Sequence, residues 1–223
     1  MCAVSDTRKL FPNLELYVII DEGLLSLARV EEVLEKALEG GADAIQFRAK
    51  RLSKRQYYET AASLLPHTRR MNVPFFVNDH LDVALAIGAD GVHLGQDDFP
   101  CREARRLVPE GIMVGISTHS VEQAVKAVAD GADYVAIGPV FPTTTKEKPE
   151  PVVGLEMIRQ TKVRAGSVPV IAIGGINSKN VAEVIRSGAD GVALASAVAL
   201  ADDPIAAAKE LKRRIRLERE RTH

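Results

Sequence analysis

Residues Gly88–Asp98 read GADGVHLGQDD. The opening tripeptide occurs four times, at Gly41-Ala42-Asp43, Gly88-Ala89-Asp90, Gly131-Ala132-Asp133 and Gly188-Ala189-Asp190. A short apolar run follows each copy: AIQF, GVHL, YVAI and GVAL. A glycine just past a helix takes the left-handed conformation that closes it, because it has no Cβ to clash. The Ala-Asp then carries the chain into a strand, so each copy marks a helix-to-strand junction. The copies start 47, 43 and 57 residues apart. Each interval has room for two strand–helix units of about 20–25 residues.

Strands are predicted at 16–20, 44–48, 74–78, 91–94, 112–116, 134–137, 169–173 and 191–195. Helical patterns fall between them, at 30–39, 54–70, 80–87, 100–107, 120–130, 154–163, 178–187 and 204–218. Strands that alternate with helices run parallel, and eight such units close into a single (β/α)8 TIM barrel. An open doubly wound sheet is the competing arrangement. Residues 1–223 form one domain in this reading, with 1–13 an N-terminal extension and 212–223 the end of the last helix and a tail. The GAD copies then lie at the bottom of the barrel, the face concerned with stability. Chemistry is sought at the top, on the loops that follow the strands.

The bulk composition limits the function classes. With 223 residues and 46% hydrophobic content the chain can bury one sizeable core. Lys plus Arg (29) nearly balances Asp plus Glu (30), so no global field invites nucleic acid or an anionic membrane. Cys2 and Cys101 show no metal or redox spacing and read as free thiols in a reducing compartment. The N-terminal MCAVSDTRKLFPN has no apolar signal core, and no apolar run approaches about 18 residues. The expectation is a soluble cytoplasmic protein acting on small molecules, without nucleic-acid or membrane partners; a homo-oligomer is compatible with it. The basic stretch KRRIRLERER (212–221) mixes in acids at helical spacing and reads as the solvated end of the last helix.

The strand ends carry the chemistry-bearing residues. After strand 2, Gln46, Arg48 and Lys50 alternate with Ile45 and Phe47, so the polar set points into the barrel mouth. Two cations and an amide suit a phosphate. Asn78-Asp79 after strand 3 and Asp97-Asp98 after strand 4 suit Mg2+, which takes one or two carboxylates with substrate phosphate oxygens. Helix capping is the competing role for these four residues. After strand 5, Ser120 and Gln123 read as a capping box, Ser117 is placed to face the mouth, and His119 lies in the cap turn. After strand 6 the long loop GPVFPTTTKEKP brings Thr143, Thr144, Thr145 and Lys146, which resemble a phosphate-gripping flap. After strands 7 and 8, Gly174-Gly175 and Ala195-Ser196 frame the recurrent phosphate site of such barrels. One mouth thus holds two anion sites, one sized for a monophosphate and one suited to a metal-bound diphosphate.

Together these pieces resemble the thiamine-phosphate synthase family, from about Leu16 to Pro204. The motifs are Gln46-x-Arg48-x-Lys50, Asn78-Asp79, GVHLGQDD, GISTH, GPVFPTTTK, AIGGI and the late ASA. The resemblance implies a barrel enzyme that joins a hydroxymethylpyrimidine diphosphate to a thiazole monophosphate with Mg2+, releasing pyrophosphate. It assigns the pyrimidine diphosphate to Gln46, Phe47, Arg48, Ala49, Lys50, Asn78, Ser117 and Lys146, with Arg48, Lys50 and Lys146 taken as catalytic. It assigns Mg2+ to Asp79 and Asp98; the choice of Asp98 over Asp97 rests on family spacing. It assigns the thiazole phosphate to Thr143, Thr144, Thr145, Gly175, Ala195 and Ser196. Thr144 departs from the family, where proline is common. Two alternatives stand beside this reading: a thiazole tautomerase-like enzyme, for which Ser117-x-His119 would matter, and a non-catalytic thiamine-phosphate-binding barrel.

Overall fold

The four GAD glycines have φ of 90°, 68°, 94° and 98°, the left-handed backbone that glycine alone adopts freely. In a computed structural model, which describes residues 14–143, 145 and 150–222, each copy joins a helix to a strand. The strands are β1 (Leu16–Asp21), β2 (Ala44–Arg48), β3 (Phe75–Asn78), β4 (Gly91–Leu94), β5 (Met113–Thr118), β6 (Tyr134–Ile137), β7 (Val170–Ile173) and β8 (Gly191–Leu194). They pair in parallel in sequence order, and β8 pairs with β1, so the sheet closes into an eight-stranded barrel. The helices are α1 (Leu27–Glu39), α2 (Lys54–Arg70), α3 (Leu81–Ile87), α4 (Cys101–Leu107), α5 (Val121–Ala129), α6 (Gly154–Ala165), α7 (Val181–Arg186), α8 (Ser196–Ala199) and α9 (Pro204–Thr222). This is the (β/α)8 architecture predicted from the repeat.

Most elements have a boundary one to four residues from expectation, and three of the shifts bear on the top of the barrel. α7 starts at Val181 rather than 178, because the Asn177 and Asn180 side chains fix a turn ahead of it: Asn177 N–H donates to Asn180 Oδ1 (2.8 Å) and Lys179 N–H to Asn177 Oδ1 (2.9 Å). β8 stops at Leu194, and the four-residue α8 follows; so short a helix leaves no periodic signal. β1 runs on to Asp21, a residue not singled out in the sequence.

Strand side chains alternate between two cores. Val18, Ile45, Phe47, Val77, Val92, Val114 and Val135 face outward and pack under the helices. Tyr17, Ile19, Ala44, Phe76, Met113, Tyr134, Ile171 and Ala193 fill the barrel interior. Burying a large apolar side chain contributes about 1.5–3 kcal/mol, and both layers are nearly continuous. Tyr17, Phe76 and Tyr134 meet tilted or edge-on, with centroids 5.3–6.0 Å apart, the geometry aromatic quadrupoles favour.

The aspartate of each GAD makes a clamp. Asp43 Oδ2 accepts from Leu16 N–H (3.0 Å), Asp90 Oδ2 from Phe75 N–H (2.9 Å), Asp133 Oδ2 from Val114 N–H (2.8 Å) and Asp190 Oδ2 from Val170 N–H (2.7 Å). Each aspartate N–H donates back to the carbonyl of the same residue. The clamps therefore pin β1 to β2, β3 to β4, β5 to β6 and β7 to β8 at their starts. A cation from the helix ahead of the odd strand completes three of them: Lys212 of α9 on Asp43 (2.6 Å), Arg105 of α4 on Asp133 (2.7 Å) and Lys162 of α6 on Asp190 (2.6 Å). In the fourth, Arg69 of α2 bonds the Gly88 carbonyl (2.9 Å) and acts on Asp90 through charge alone.

The 212–221 stretch is more than a solvated end, which corrects the expectation. Lys212 completes a clamp, Arg216 and Arg219 pair with Glu15, and nearly buried Glu218 pairs with Arg186 at 2.7 Å. Its cations and acids close the barrel bottom, while Leu211 and Ile215 enter the core. Among the described residues no helix is long and apolar enough to cross a membrane.

Candidate active site

The top of the barrel opens into a cavity of about 270 Å3. Gln46, Arg48, Lys50, Asn78, Asp79, Asp98, Ser117, Thr143, Thr145, Gly175, Ala195 and Ser196 all line it, so strand ends from all around the barrel converge there. Phe47 and Ala49 do not. Their side chains are buried in the outer core, Phe47 against Tyr57 with centroids 4.9 Å apart. Taking residues 46–50 as one contact run therefore overstates the side chains available, because strand alternation turns every second one away. Thr144 and Lys146 lie outside the described residues.

On the β2–β4 side the charges are paired. Arg48 Nη1 contacts Asp21 Oδ2 at 2.6 Å, and Asp21, almost fully buried, also accepts from Gly23 N–H (2.8 Å). Lys50 pairs with Asp79. Asp79 has φ 63°, a left-handed conformation that aspartate tolerates better than most residues. Its N–H donates to the His93 carbonyl (2.8 Å), which fixes the turn at the end of β3. Asp98 Oδ2 accepts from Gly95 N–H (2.7 Å), and a Cβ at position 95 would sit 3.0 Å from that same oxygen, so glycine suits the turn. Neither carboxylate caps a helix: the N-caps of α3 and α4 are His80 and Pro100, without side-chain cap bonds.

The Asp79 and Asp98 carboxyls face each other. Burial, then the facing Asp98, push the Asp79 carboxyl up from 3.8 to about 6. Asp98 moves the other way: burial opposes its charge, but the protonated Asp79 facing it and the bond from Gly95 N–H outweigh it and hold its carboxyl low. The pair therefore shares one proton across the slightly acidic range. Behind it, the buried Tyr57 hydroxyl donates to the Phe47 carbonyl (2.6 Å) and accepts from Asn78 N–H (3.1 Å), tying the ends of β2 and β3 together.

The opposite wall is built from backbone. Val140 N–H donates to the Ile173 carbonyl (2.9 Å) and Phe141 N–H to that of Gly174 (3.0 Å), which joins the loops after β6 and β7. Gly174 and Gly175 have φ of 97° and 66°, and a Cβ on either would come within 2.5 Å of Pro139 or Pro142. Thr143 Oγ1 accepts from Thr145 N–H (3.3 Å), so the described threonines form a small hydroxyl-bearing turn on this side. His119 Nδ1 lies 2.6 Å from the Gly138 carbonyl, and the Gln123 side chain accepts from His119 N–H (2.7 Å), while Ser120 caps α5 through Gln123 N–H (3.2 Å).

Asp21 and His93 also line the cavity, although the strand-end reading did not select them, and Gly174 lines it beside Gly175 as expected. The alternation applied to strand 2 finds the first two when extended. It puts Tyr17, Ile19 and Asp21 of β1, and Gly91 and His93 of β4, on the interior face.

A family model described as Thiamine monophosphate synthase matches residues 16–198. The chain belongs to the thiamine-phosphate synthase family. The thiamine-phosphate synthase of Chloroflexus aurantiacus is 49% identical over 197 residues, covering 88% of this chain and 90% of that protein. That of Archaeoglobus fulgidus is 49% identical over 186 residues, covering 83% and 87%. The solved thiamine phosphate pyrophosphorylase of Pyrococcus furiosus superposes with a TM-score of 0.83 at 42% identity, covering 93% of this chain and 98% of that one. As a thiamine-phosphate synthase the chain is a transferase of thiamine biosynthesis.

Proposed function

We propose that the top cavity joins a hydroxymethylpyrimidine diphosphate to a thiazole monophosphate. The observation that carries this is the division of one cavity into two unlike sides. Cations and facing carboxylates lie on the β2–β4 side, and hydroxyls and glycine backbone lie on the β6–β8 side. The first suits a diphosphate that departs with growing charge, and the second a monophosphate that serves as a handle.

In the reaction, the carbon–oxygen bond to the diphosphate breaks and its electron pair leaves on pyrophosphate. The thiazole nitrogen donates its lone pair to the exposed carbon to form the new carbon–nitrogen bond. That nitrogen carries no proton to lose, so no general base is required there. Arg48 and Lys50 stabilise the departing charge, Asn78, Gln46 and Ser117 orient the pyrimidine, and Thr143, Thr145, Gly175, Ala195 and Ser196 hold the thiazole phosphate within reach. Lys146, on the flap, is assigned to the departing diphosphate from the sequence alone.

Asp79 and Asp98 fit Mg2+. They are two hard carboxylates turned toward each other, with no group of three or more His, Cys, Asp or Glu ligands among the described residues. That set matches an ion that takes one or two carboxylates and completes its shell with water and phosphate. When bound, Mg2+ supplies positive charge to the diphosphate oxygens. With Asp79 and Asp98 holding the ion, the Lys50 ammonium would be free to bind a phosphate oxygen. The tautomerase alternative leaned on His119, but Ser117 bonds His93 and the His119 ring faces the Gly138 carbonyl. The balanced charge and the unpaired Cys101 thiol support a place in the cytoplasm.

The test supplies both substrates and Mg2+ and follows thiamine phosphate and pyrophosphate together. Equimolar appearance of the two products is expected. Pyrophosphate without thiamine phosphate, or neither product, would overturn the assignment.

A further inference from the structure

The loop after β7 turns two asparagine side chains onto one backbone carbonyl. Asn180 stands at the N-cap of α7, where an asparagine ordinarily accepts from an N–H of the first helical turn. It makes no such cap bond. Its side chain reaches back instead: Oδ1 accepts from Asn177 N–H (2.8 Å), and Nδ2 donates to the Gly175 carbonyl (3.0 Å). Asn177 adds a longer bond from its own Nδ2 to the same carbonyl (3.4 Å). A backbone N–H can only donate and a carbonyl can only accept, so its two backbone partners fix which way the Asn180 amide points.

The Gly175 carbonyl is thereby held away from the cavity. Gly175 and Ile176 line the cavity, whereas Asn177 and Asn180 stand outside it. The Gly175–Ile176 peptide is trans, and a planar trans peptide points its carbonyl and the following N–H in opposite directions. With the carbonyl drawn toward Asn180, the Ile176 N–H is turned to the cavity side. Among the described residues no acceptor bonds it. Ile176 is buried, and a buried backbone donor without an acceptor is costly. An anionic oxygen entering through the cavity would satisfy it, with the strength of a charge-assisted bond.

We propose that Asn180 is a positioning residue: by holding the Gly175 carbonyl it presents the Ile176 N–H to a phosphate oxygen of the thiazole substrate. The proposal rests on the reading of the β6–β8 side as the monophosphate site. A donor fixed by a side chain outside the cavity needs no rearrangement when the anion arrives. Because the monophosphate does not react, the contact is as strong in the ground state as in the transition state, and its loss acts on KM rather than kcat.

One readout is independent of activity. In amide spectra of the 15N-labelled full chain, with Ile176→Val used for assignment, the Ile176 amide proton should move downfield when inorganic phosphate or the thiazole phosphate is added. Asn180→Ala should abolish that response. It should also raise KM for the thiazole phosphate by about tenfold and leave kcat and the pyrimidine-diphosphate KM within about twofold. Asn180→Asp keeps an acceptor for Asn177 N–H and loses the donor to the Gly175 carbonyl. It should show the same rise in KM with a smaller fall in melting temperature, and it serves if Asn180→Ala does not fold. The rise should persist at high salt, which screens the added charge. An Ile176 amide that responds to neither phosphate would overturn the proposal, and so would equal rises in both KM values. A lowered melting temperature with both KM values unchanged would reduce Asn180 to a fastener of the loop. Failure of the unaltered protein to make thiamine phosphate would instead overturn the functional reading, while the response to inorganic phosphate still tests the N–H itself.

Discussion

At the bottom of the barrel one contact is made four times; at the top no two strand ends carry the same residues. Below, each aspartate sits against a backbone N–H, and three of the four have a cation in direct contact. Above, two aspartates face each other, and one of them is held in a left-handed backbone. The same residue type thus serves opposite ends. At the bottom it fastens strands, and at the top, where the single Lys50 ammonium serves two facing carboxylates, it keeps an affinity for further positive charge. The difference predicts that removing an aspartate from one face should cost what the other face does not lose.

The largest effect is expected at the top. Asp79→Asn should reduce turnover at saturating substrates by at least about 10²-fold, the scale set by losing a well-placed electrostatic group. The same change should raise stability. Because the folded carboxyl titrates near 6 and its ordinary value is 3.8, the native state holds this proton more tightly than the unfolded chain does between those values. Stability therefore falls as pH rises through that window, and above it the ionised Asp79 is a standing cost. Thermal melts should show Asp79→Asn as more stable at pH 7.5, on the order of 1–2 kcal/mol, with the difference gone at pH 4. A destabilised variant at pH 7.5 would place this carboxylate with the fasteners.

Asp133→Ala should do the reverse. It leaves Val114 N–H and Arg105 without their carboxylate, at a cost of about 2–3 kcal/mol. For a chain of this length that corresponds to a fall of roughly 5–10 °C in melting temperature. Its kcat, measured well below the melt, should match that of the parent. A large loss of kcat with an unchanged melt would erase the contrast between the faces.

Two smaller effects sharpen the division within the top. Ser196→Ala should raise KM for the thiazole phosphate by about tenfold, one charged hydrogen bond, with little change in kcat. A rise confined to the pyrimidine diphosphate would exchange the two substrates. His119→Ala should slow turnover less than about tenfold; a loss of ~10²-fold or more would give it a general acid–base role.

The repeat made the bottom face legible because it is a local signal. Glycine at a helix end and an apolar run after it can be read without knowing the neighbours. The partners of the repeat were not legible: Lys212 meets Asp43 across 169 positions, and no pattern within either segment announces that pair. At the top, Arg48, Lys50, Asp79 and Asp98 stood out because charged residues at strand ends break an apolar background. Asp21 and His93 carry the same kind of signal. They were missed because β1 and β4 were read as apolar runs rather than by alternation. The assignment of Phe47 and Ala49 had the opposite cause, since a motif names consecutive residues while a strand offers only every second one to a given face.

The ring of clamps has no first member. α9 stands ahead of β1 just as α2, α4 and α6 stand ahead of β3, β5 and β7, and the pairing of Arg219 with Glu15 at 3.3 Å brings the last helix beside the first strand. The order of the units along the polypeptide is thus independent of their order around the barrel. A circular permutant opened at the turn between α2 and β3, with a short linker from the end of α9 to Leu14, would keep all four clamps and every strand neighbour. Its cavity would be assembled from the same strand ends, now encoded in a different sequence.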